Sequence, residues 1–195
     1  MAAWRYHSEL DAARIQAERV HLAAREPEGV TYREVDAGGV PGIRCEPVDA
    51  DTDHVLLHSH AGGSVPASAP VDRKLGGHIA KAAGAPELVL GFRRTLEHKY
   101  PAQVNDAEAA FNWLLSEGYE PGNIITFGHS IGGFIAVALA LRLRDTKLPL
   151  PGAIVSISPW CERHLRRRAD PRRTRPRPDP AGDESWRSAR HSADV

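Results

Sequence analysis

One serine of this 195-residue chain has the neighbours that a nucleophilic side chain requires. Ser130 lies within Gly-His-Ser-Ile-Gly at positions 128–132, between the strand-like residues 123–127 and the apolar run 134–143. A serine on a tight strand-to-helix turn holds its hydroxyl clear of the backbone, and flanking glycines remove the Cβ atoms that would collide there. The pattern therefore predicts a nucleophile elbow rather than an ordinary glycine-rich turn.

A second glycine-rich loop follows a predicted strand earlier in the chain. It reads His-Ala-Gly-Gly at positions 60–63, directly after the strand expected over residues 54–58. Backbone N–H groups in such a loop can point at the oxyanion of an acyl-transfer intermediate without obstruction by side chains. The two loops together predict acyl-transfer chemistry with a serine nucleophile.

These loops need a scaffold of alternating strands and helices. The residue pattern predicts strands at 30–35, 43–48, 54–58, 87–91, 123–127 and 152–157, and helices at 8–24, 71–83, 104–116 and from 130 onward. Such alternation is typical of parallel βαβ units, so the fold class is α/β. Chemistry in this class lies at the carboxyl ends of the strands, where both glycine-rich loops fall.

Charge divides the chain into two unlike parts. Residues 162–195 hold ten arginines and six acidic residues among four prolines, without helical or strand periodicity, whereas the rest of the chain is mildly acidic. A segment of this composition cannot bury enough apolar surface to fold. We expect an N-terminal cap helix over residues 1–28, a core over 29–161 and a disordered tail over 162–195. The tail could alternatively be a nucleic-acid-binding arm, but its modest net charge disfavours a nucleic-acid partner.

Cysteine usage and apolar runs indicate the compartment. Cys45 and Cys161 are far apart and form no CxxC pair, so neither a disulfide framework nor a thiolate metal site is expected. The N-terminal residues lack an apolar export signal, and no run reaches 18 apolar residues. We therefore expect a cytoplasmic protein without a membrane span.

Four segments together resemble one known family. Besides the two glycine-rich loops, residues 91–106 contain Glu-His-Lys-Tyr-Pro-Ala, and residues 156–160 read Ser-Ile-Ser-Pro-Trp. Across residues 28–162 the chain resembles the bacterial hormone-sensitive-lipase family of α/β-hydrolase esterases. That resemblance implies a mostly parallel, doubly wound sheet with about six of the family's eight strands, and hydrolysis of a carboxylic ester through an acyl-enzyme.

The resemblance also assigns roles to five residues. It implies Ser130 as the nucleophile and the backbone amides of Gly62, Gly63 and Ile131 as the oxyanion hole, with His60 orienting the loop. It implies no cofactor, and a small ester, lactone or short-chain lipid as substrate.

Three positions depart from the family's loops. Ala61 replaces a glycine, His129 replaces an aspartate, and Ile131 replaces a small residue. We expect the β-branched Ile131 to narrow the acyl pocket. If position 61 needs a positive φ, alanine there would strain the loop by about 1 kcal/mol or more.

The family's catalytic acid and histidine have no counterparts with a suitable context. The tail residues in the right order are Asp170, Asp179, Asp183, Glu184 and His191, and we expect them to be solvated rather than catalytic. We interpret the chain as C-terminally truncated, with the tail read out of frame. The alternative to an active esterase is therefore a catalytically defective paralogue or gene fragment, which would expose a sheet edge open to self-association.

Other polar residues invite less chemistry. His54, His58 and His60 crowd one strand end, and His58-Ser59-His60 begins like a zinc motif, but glycines stand where its aspartate and third histidine belong, so no metal site is expected. Glu97 and His98 are expected to pin a loop. We expect Asp106 to face solvent or to cap a helix.

Overall fold

The computed structural model describes residues 9–17, 19 and 24–160. The chain divides into two units, Met1–Cys161 and Glu162–Val195, and all described residues belong to the first. Residues 9–17 are helical. The strands are β1 Val30–Asp36, β2 Pro41–Pro47, β3 Val55–Ser59, β4 Glu87–Leu90, β5 Ile124–His129 and β6 Ala153–Ile157, and the helices are α1 Ala69–Ala83, α2 Ala102–Ser116 and α3 Ile131–Asp145, with a 3-10 turn at Pro121–Asn123.

The six strands form one sheet in the order β1-β2-β4-β3-β5-β6. The β1–β2 and β2–β4 pairs are antiparallel, and the other three pairs are parallel. Ser59, the last residue of β3, lies opposite Gly128 near the end of β5. The loops that follow these two strands therefore begin side by side at one edge of the sheet, as the sequence predicts.

Apolar residues of the sheet and helices form the core that fixes this edge. All five residues of β3 are buried, as are all four of β4. The largest cluster joins these strands to α2 and α3 through Leu57, Leu88, Leu90, Phe111, Leu114, Ile135, Leu139 and Leu143. Strand β3 is buried throughout and β5 is mostly buried, and both are rich in apolar residues, which is typical of parallel strands between helices.

The observed fold confirms the predicted α/β class, and every predicted strand is present within a few residues. The prediction for the Asp106 side chain is wrong. Asp106 neither faces solvent nor caps α2, because only 5% of it is exposed and its carboxylate binds both the backbone N–H and the guanidinium of Arg93. Glu97 does hold a loop, through an ion pair of 2.7 Å with Arg14.

Among the described residues, no helix is long and apolar enough to cross a bilayer.

Strand β6 lies at one edge of the sheet formed by the described strands and exposes large apolar side chains. Val155 is 41% exposed and Ile157 is 51% exposed. An exposed apolar edge strand is a template for pairing with another chain. We expect the apparent mass in sedimentation velocity to rise with protein concentration, and Val155→Lys to suppress that rise. Val48→Lys is the control, because Val48 is 66% exposed but lies outside the six strands; a wild-type protein that stays monomeric would contradict the expectation.

Candidate active site

Ser130 occupies a strained turn between the end of β5 and the start of α3. Its backbone angles are φ 55° and ψ −122°, which a non-glycine residue rarely adopts. The turn is held on both sides: the Ser130 N–H donates to the Ile157 carbonyl at 2.9 Å, and the Ser130 carbonyl accepts from the Trp160 N–H at 3.4 Å. Strain held by surrounding structure at the end of a parallel strand is typical of a nucleophile elbow.

Gly128 and Gly132 are required on either side of Ser130 because other backbone segments lie too close to leave room for a Cβ atom. A Cβ on Gly128 would collide with the backbone of Gly132, and one on Gly132 would collide with the carbonyls of Ser59 and His60. Each of these obstacles is main chain, so no side-chain rotation relieves them. The first turn of α3 is therefore packed directly against the end of β3, where the second glycine-rich loop begins.

That second loop turns sharply through three residues in the left-handed region. Gly62, Gly63 and Ser64 have φ values of 90°, 62° and 61°. Ala61 is not among the residues with positive φ, so the expected strain from alanine at this position does not arise. Within the part of the chain that the structure describes, the N–H groups of Gly62 and Gly63 have no hydrogen-bond partner.

His60 anchors the loop from beneath. Its ring stacks on Phe92 with 4.0 Å between centroids and an interplanar angle of 10°, and its Nδ1 lies 2.8 Å from the Ala61 carbonyl. A carbonyl only accepts, so Nδ1 carries the proton. Burial lowers the pKa of His60 to about 4, so the ring is neutral at pH 7.

The structure brings the two loops together through shared neighbours. Gly132 packs against the Ser59 and His60 carbonyls. The Trp160 ring lies 3.9 Å from the Cβ position of Gly63, and the Trp160 backbone N–H donates to the Ser130 carbonyl. Ile131 is the first residue of α3, and its side chain is buried in the main core cluster. The expectation that it narrows an acyl pocket is therefore wrong, because this side chain packs inward.

Comparison with known proteins identifies the scaffold. Residues 56–191 match the sequence profile of the α/β-hydrolase fold family. The chain belongs to this family. Its fold superposes on the crystal structure of an esterase from the bacterial hormone-sensitive lipase family with a TM-score of 0.75 and 36% identity, covering 77% of this chain and 51% of that one.

Two relatives of this α/β-hydrolase match it at more than 30% sequence identity. LipR of Mycobacterium tuberculosis is 35% identical over 153 residues, which are 76% of this chain and 50% of LipR. An acetyl-hydrolase of Streptomyces hygroscopicus is 43% identical over 107 residues, which are 55% of this chain and 36% of that protein. The matched part of the chain thus spans half of one relative and about a third of the other.

The described part of this α/β-hydrolase gives Ser130 no histidine partner. The Ser130 hydroxyl makes no hydrogen bond to any described residue. Four described histidines hydrogen-bond to other groups instead. His54 pairs with Asp51 and His58 with Glu87, whereas His60 and His78 bond to the backbone carbonyls of Ala61 and Arg25. Asp170, Asp179, Asp183, Glu184 and His191 lie outside the described residues.

A buried polar cluster beneath the hydrolase loops escaped the sequence analysis. Asp72, in the first turn of α1, is 1% exposed, and its Oδ2 accepts the Ala61 N–H at 3.2 Å. The same carboxylate faces His58 and His129. Glu87 is also fully buried, and burial raises its pKa while His58 opposes the shift. The only signal in the sequence was an acidic residue, Asp72, on the otherwise apolar face of a predicted helix. That signal does not indicate which residues the carboxylate contacts.

Proposed function

We propose that this chain carries the nucleophile and the oxyanion-binding groups of a serine carboxylic-ester hydrolase. Ser130 Oγ attacks the ester carbonyl, the alcohol leaves, and water then hydrolyses the acyl-enzyme. The observation that carries the proposal is the strained turn at Ser130, with φ of 55°, at the end of a parallel strand beside the glycine-rich loop. Strain of this kind persists only where the surrounding structure enforces it.

The groups around Ser130 support stabilisation of an oxyanion. The Gly62 and Gly63 N–H groups have no partner among the described residues, and the Ile131 N–H at the start of α3 has no intrahelical acceptor. The amino terminus of α3 also favours negative charge at this position. Removing one donor from an oxyanion hole costs about 10²–10³ in kcat. His60 keeps the loop in place because it is packed on Phe92 and bonded within the loop.

The substrate class follows from the relatives' names. One relative is named an acetyl-hydrolase and another a carboxylesterase/phospholipase, LipF of Mycobacterium tuberculosis, which is 34% identical over 122 residues. We therefore propose small carboxylic esters with short acyl groups as substrates, with no cofactor in the reaction.

A second candidate, a catalytically defective hydrolase, is favoured by one observation. No described imidazole bonds to the Ser130 hydroxyl. A serine without its histidine base loses about 10⁶ in kcat relative to a complete triad and retains about 10³–10⁴ over water from the oxyanion hole and binding.

Hydrolysis of 4-nitrophenyl acetate distinguishes the two candidates. We expect the purified wild-type chain to hydrolyse this ester and Ser130→Ala to lower the rate to the residual that the oxyanion hole and binding leave, because the acyl-enzyme can no longer form. Ser116→Ala is the matched control, since Ser116 ends α2 and is exposed. Equal rates for wild type and Ser130→Ala would show that the chain is catalytically defective.

A further inference from the structure

Three side chains from different elements converge beneath the two loops. His58 comes from β3, Asp72 from α1 and His129 from the end of β5. The Asp72 Oδ2 lies 3.6 Å from His58 Nε2 and 3.9 Å from His129 Nδ1, and one ligand atom from each residue lies within 4.8 Å of the others. His58 and Asp72 are fully buried, whereas 33% of the His129 side chain is exposed.

The two imidazole nitrogens that face Asp72 are buried without hydrogen bonds. Within the described residues, neither His58 Nε2 nor His129 Nδ1 has a hydrogen-bond partner. Leaving such atoms unpaired in a protein interior is costly, so each one requires an explanation. Both nitrogens face the same carboxylate. The distances are too long for a hydrogen bond but short enough for the nitrogens and the carboxylate to bind one common ion.

Glu87 fixes which nitrogen of His58 is available. Its Oε1 lies 2.5 Å from His58 Nδ1, and both side chains are fully buried. When the Glu87 carboxylate accepts a hydrogen bond from Nδ1–H, the neutral ring keeps its lone pair on Nε2, which faces Asp72. A carboxylate behind a histidine in this way is the usual outer support of a metal-binding imidazole.

We propose that His58 Nε2, His129 Nδ1 and an Asp72 carboxylate oxygen bind one divalent transition-metal ion of the zinc class. Zinc binds nitrogen and oxygen ligands at about 2.0–2.2 Å, which places tetrahedral ligand atoms about 3.4 Å apart. The 3.6 and 3.9 Å separations from Asp72 Oδ2 must close by about 0.2 and 0.5 Å, and the two histidine nitrogens, which lie within 4.8 Å of each other, must approach by up to about 1.4 Å. Two imidazoles and one carboxylate favour zinc, cobalt or nickel over magnesium and calcium, which prefer oxygen ligands.

The site ties together the two loops of the proposed active site. Asp72 also accepts the Ala61 N–H, and His129 directly precedes Ser130. A bound ion thus joins the oxyanion loop, α1 and the elbow at one point. The ion's role here is positioning, because its ligands do not include Ser130.

Cobalt(II) is the probe for this site. The full chain is treated with chelator, exchanged into metal-free buffer and titrated with Co²⁺, with visible absorption and calorimetry as readouts. We expect Co²⁺ to bind at one site and to show d–d absorption bands typical of nitrogen and oxygen coordination. Added Zn²⁺ should displace the Co²⁺ and abolish these bands. We also expect Zn²⁺ to raise the thermal unfolding midpoint, since a ligand that binds only the folded state stabilises it.

Variants locate the ion. His129→Gln should weaken binding by about 100-fold or more, because loss of a direct ligand exceeds the 10–100-fold effect of losing an outer partner. Glu87→Gln should weaken it within that 10–100-fold range. His54→Gln, which changes an exposed histidine paired with Asp51, should leave binding unchanged. Should His129→Gln fail to fold by circular dichroism, the isosteric Asp72→Asn decides in its place.

Two results would overturn the proposal. One is the absence of Co²⁺ bands and of any Zn²⁺ effect on unfolding in the wild type. The other is Co²⁺ binding that survives unchanged in His129→Gln or, where that variant does not fold, in Asp72→Asn. Neither readout depends on ester hydrolysis, so the proposal stands or falls separately from the proposed function.

Discussion

Replacing Gly132 with alanine is expected to lower the free energy of unfolding by about 3 kcal/mol or more, at the upper end of overpacking effects. The new Cβ would collide with the Ser59 carbonyl and lie 2.8 Å from the His60 carbonyl oxygen. Both obstacles are main chain at the end of buried β3, so relief requires α3 to move away from the sheet. Chemical denaturation followed by circular dichroism measures the change.

Gly122→Ala is the matched control for this substitution. Gly122 lies in the 3-10 turn before β5, and a Cβ there would have no neighbour within 4 Å. We expect its effect to stay within about 0.5 kcal/mol, as for ordinary surface substitutions. Equal denaturation midpoints for Gly132→Ala and Gly122→Ala would mean that α3 does not pack against the end of β3 as described.

The second large effect is expected at the buried pair of His58 and Glu87. In metal-free buffer, His58→Leu should lower the free energy of unfolding by about 3–5 kcal/mol, because it leaves a buried carboxylate without its partner. The pair is separated by 2.5 Å, and both side chains are fully buried. The double variant His58→Leu, Glu87→Leu should recover much of the loss, since a hydrophobic replacement of both partners leaves no charge at Glu87 to desolvate.

An exposed histidine–acid pair provides the comparison. His54 lies 2.7 Å from Asp51, but both side chains are about half exposed. Solvent-exposed pairs contribute about 0–1 kcal/mol, so His54→Leu should have little effect on unfolding. A loss in His58→Leu no larger than that in His54→Leu would contradict the account of a buried, tightly coupled cluster.

Local patterns in the sequence were sufficient to predict the sheet, the tight turn at Ser130 and the position of the second glycine-rich loop. Strands β3 and β5 are rich in apolar residues, and each is followed by a glycine-rich loop, so their type and their shared edge follow from composition and alternation. The predicted strain at Ala61 did not arise, because the left-handed turn begins one residue later, at Gly62.

Long-range polar contacts could not be predicted in this way. Asp106 pairs with Arg93 on a loop, and Asp72 faces His129 from a helix 57 positions earlier in the chain. Such partners are set by how α1 and α2 pack on the sheet, which the local sequence does not encode. Of His54, His58 and His60, only His58 faces Asp72 and His129, and no pattern in the sequence joins His58 to these two residues. The proposed ion site draws its other ligands from two further elements.

The central claim, that Ser130 is a reactive nucleophile, is tested most directly by a fluorophosphonate. The serine oxygen attacks phosphorus and fluoride leaves, so the adduct marks the attacking residue permanently. After incubation of the folded chain, peptide mass spectrometry should locate the adduct on Ser130, with none in Ser130→Ala and full labelling in Ser116→Ala. A folded wild-type chain in which Ser130 remains unmodified, or in which another serine carries the adduct, would contradict the account.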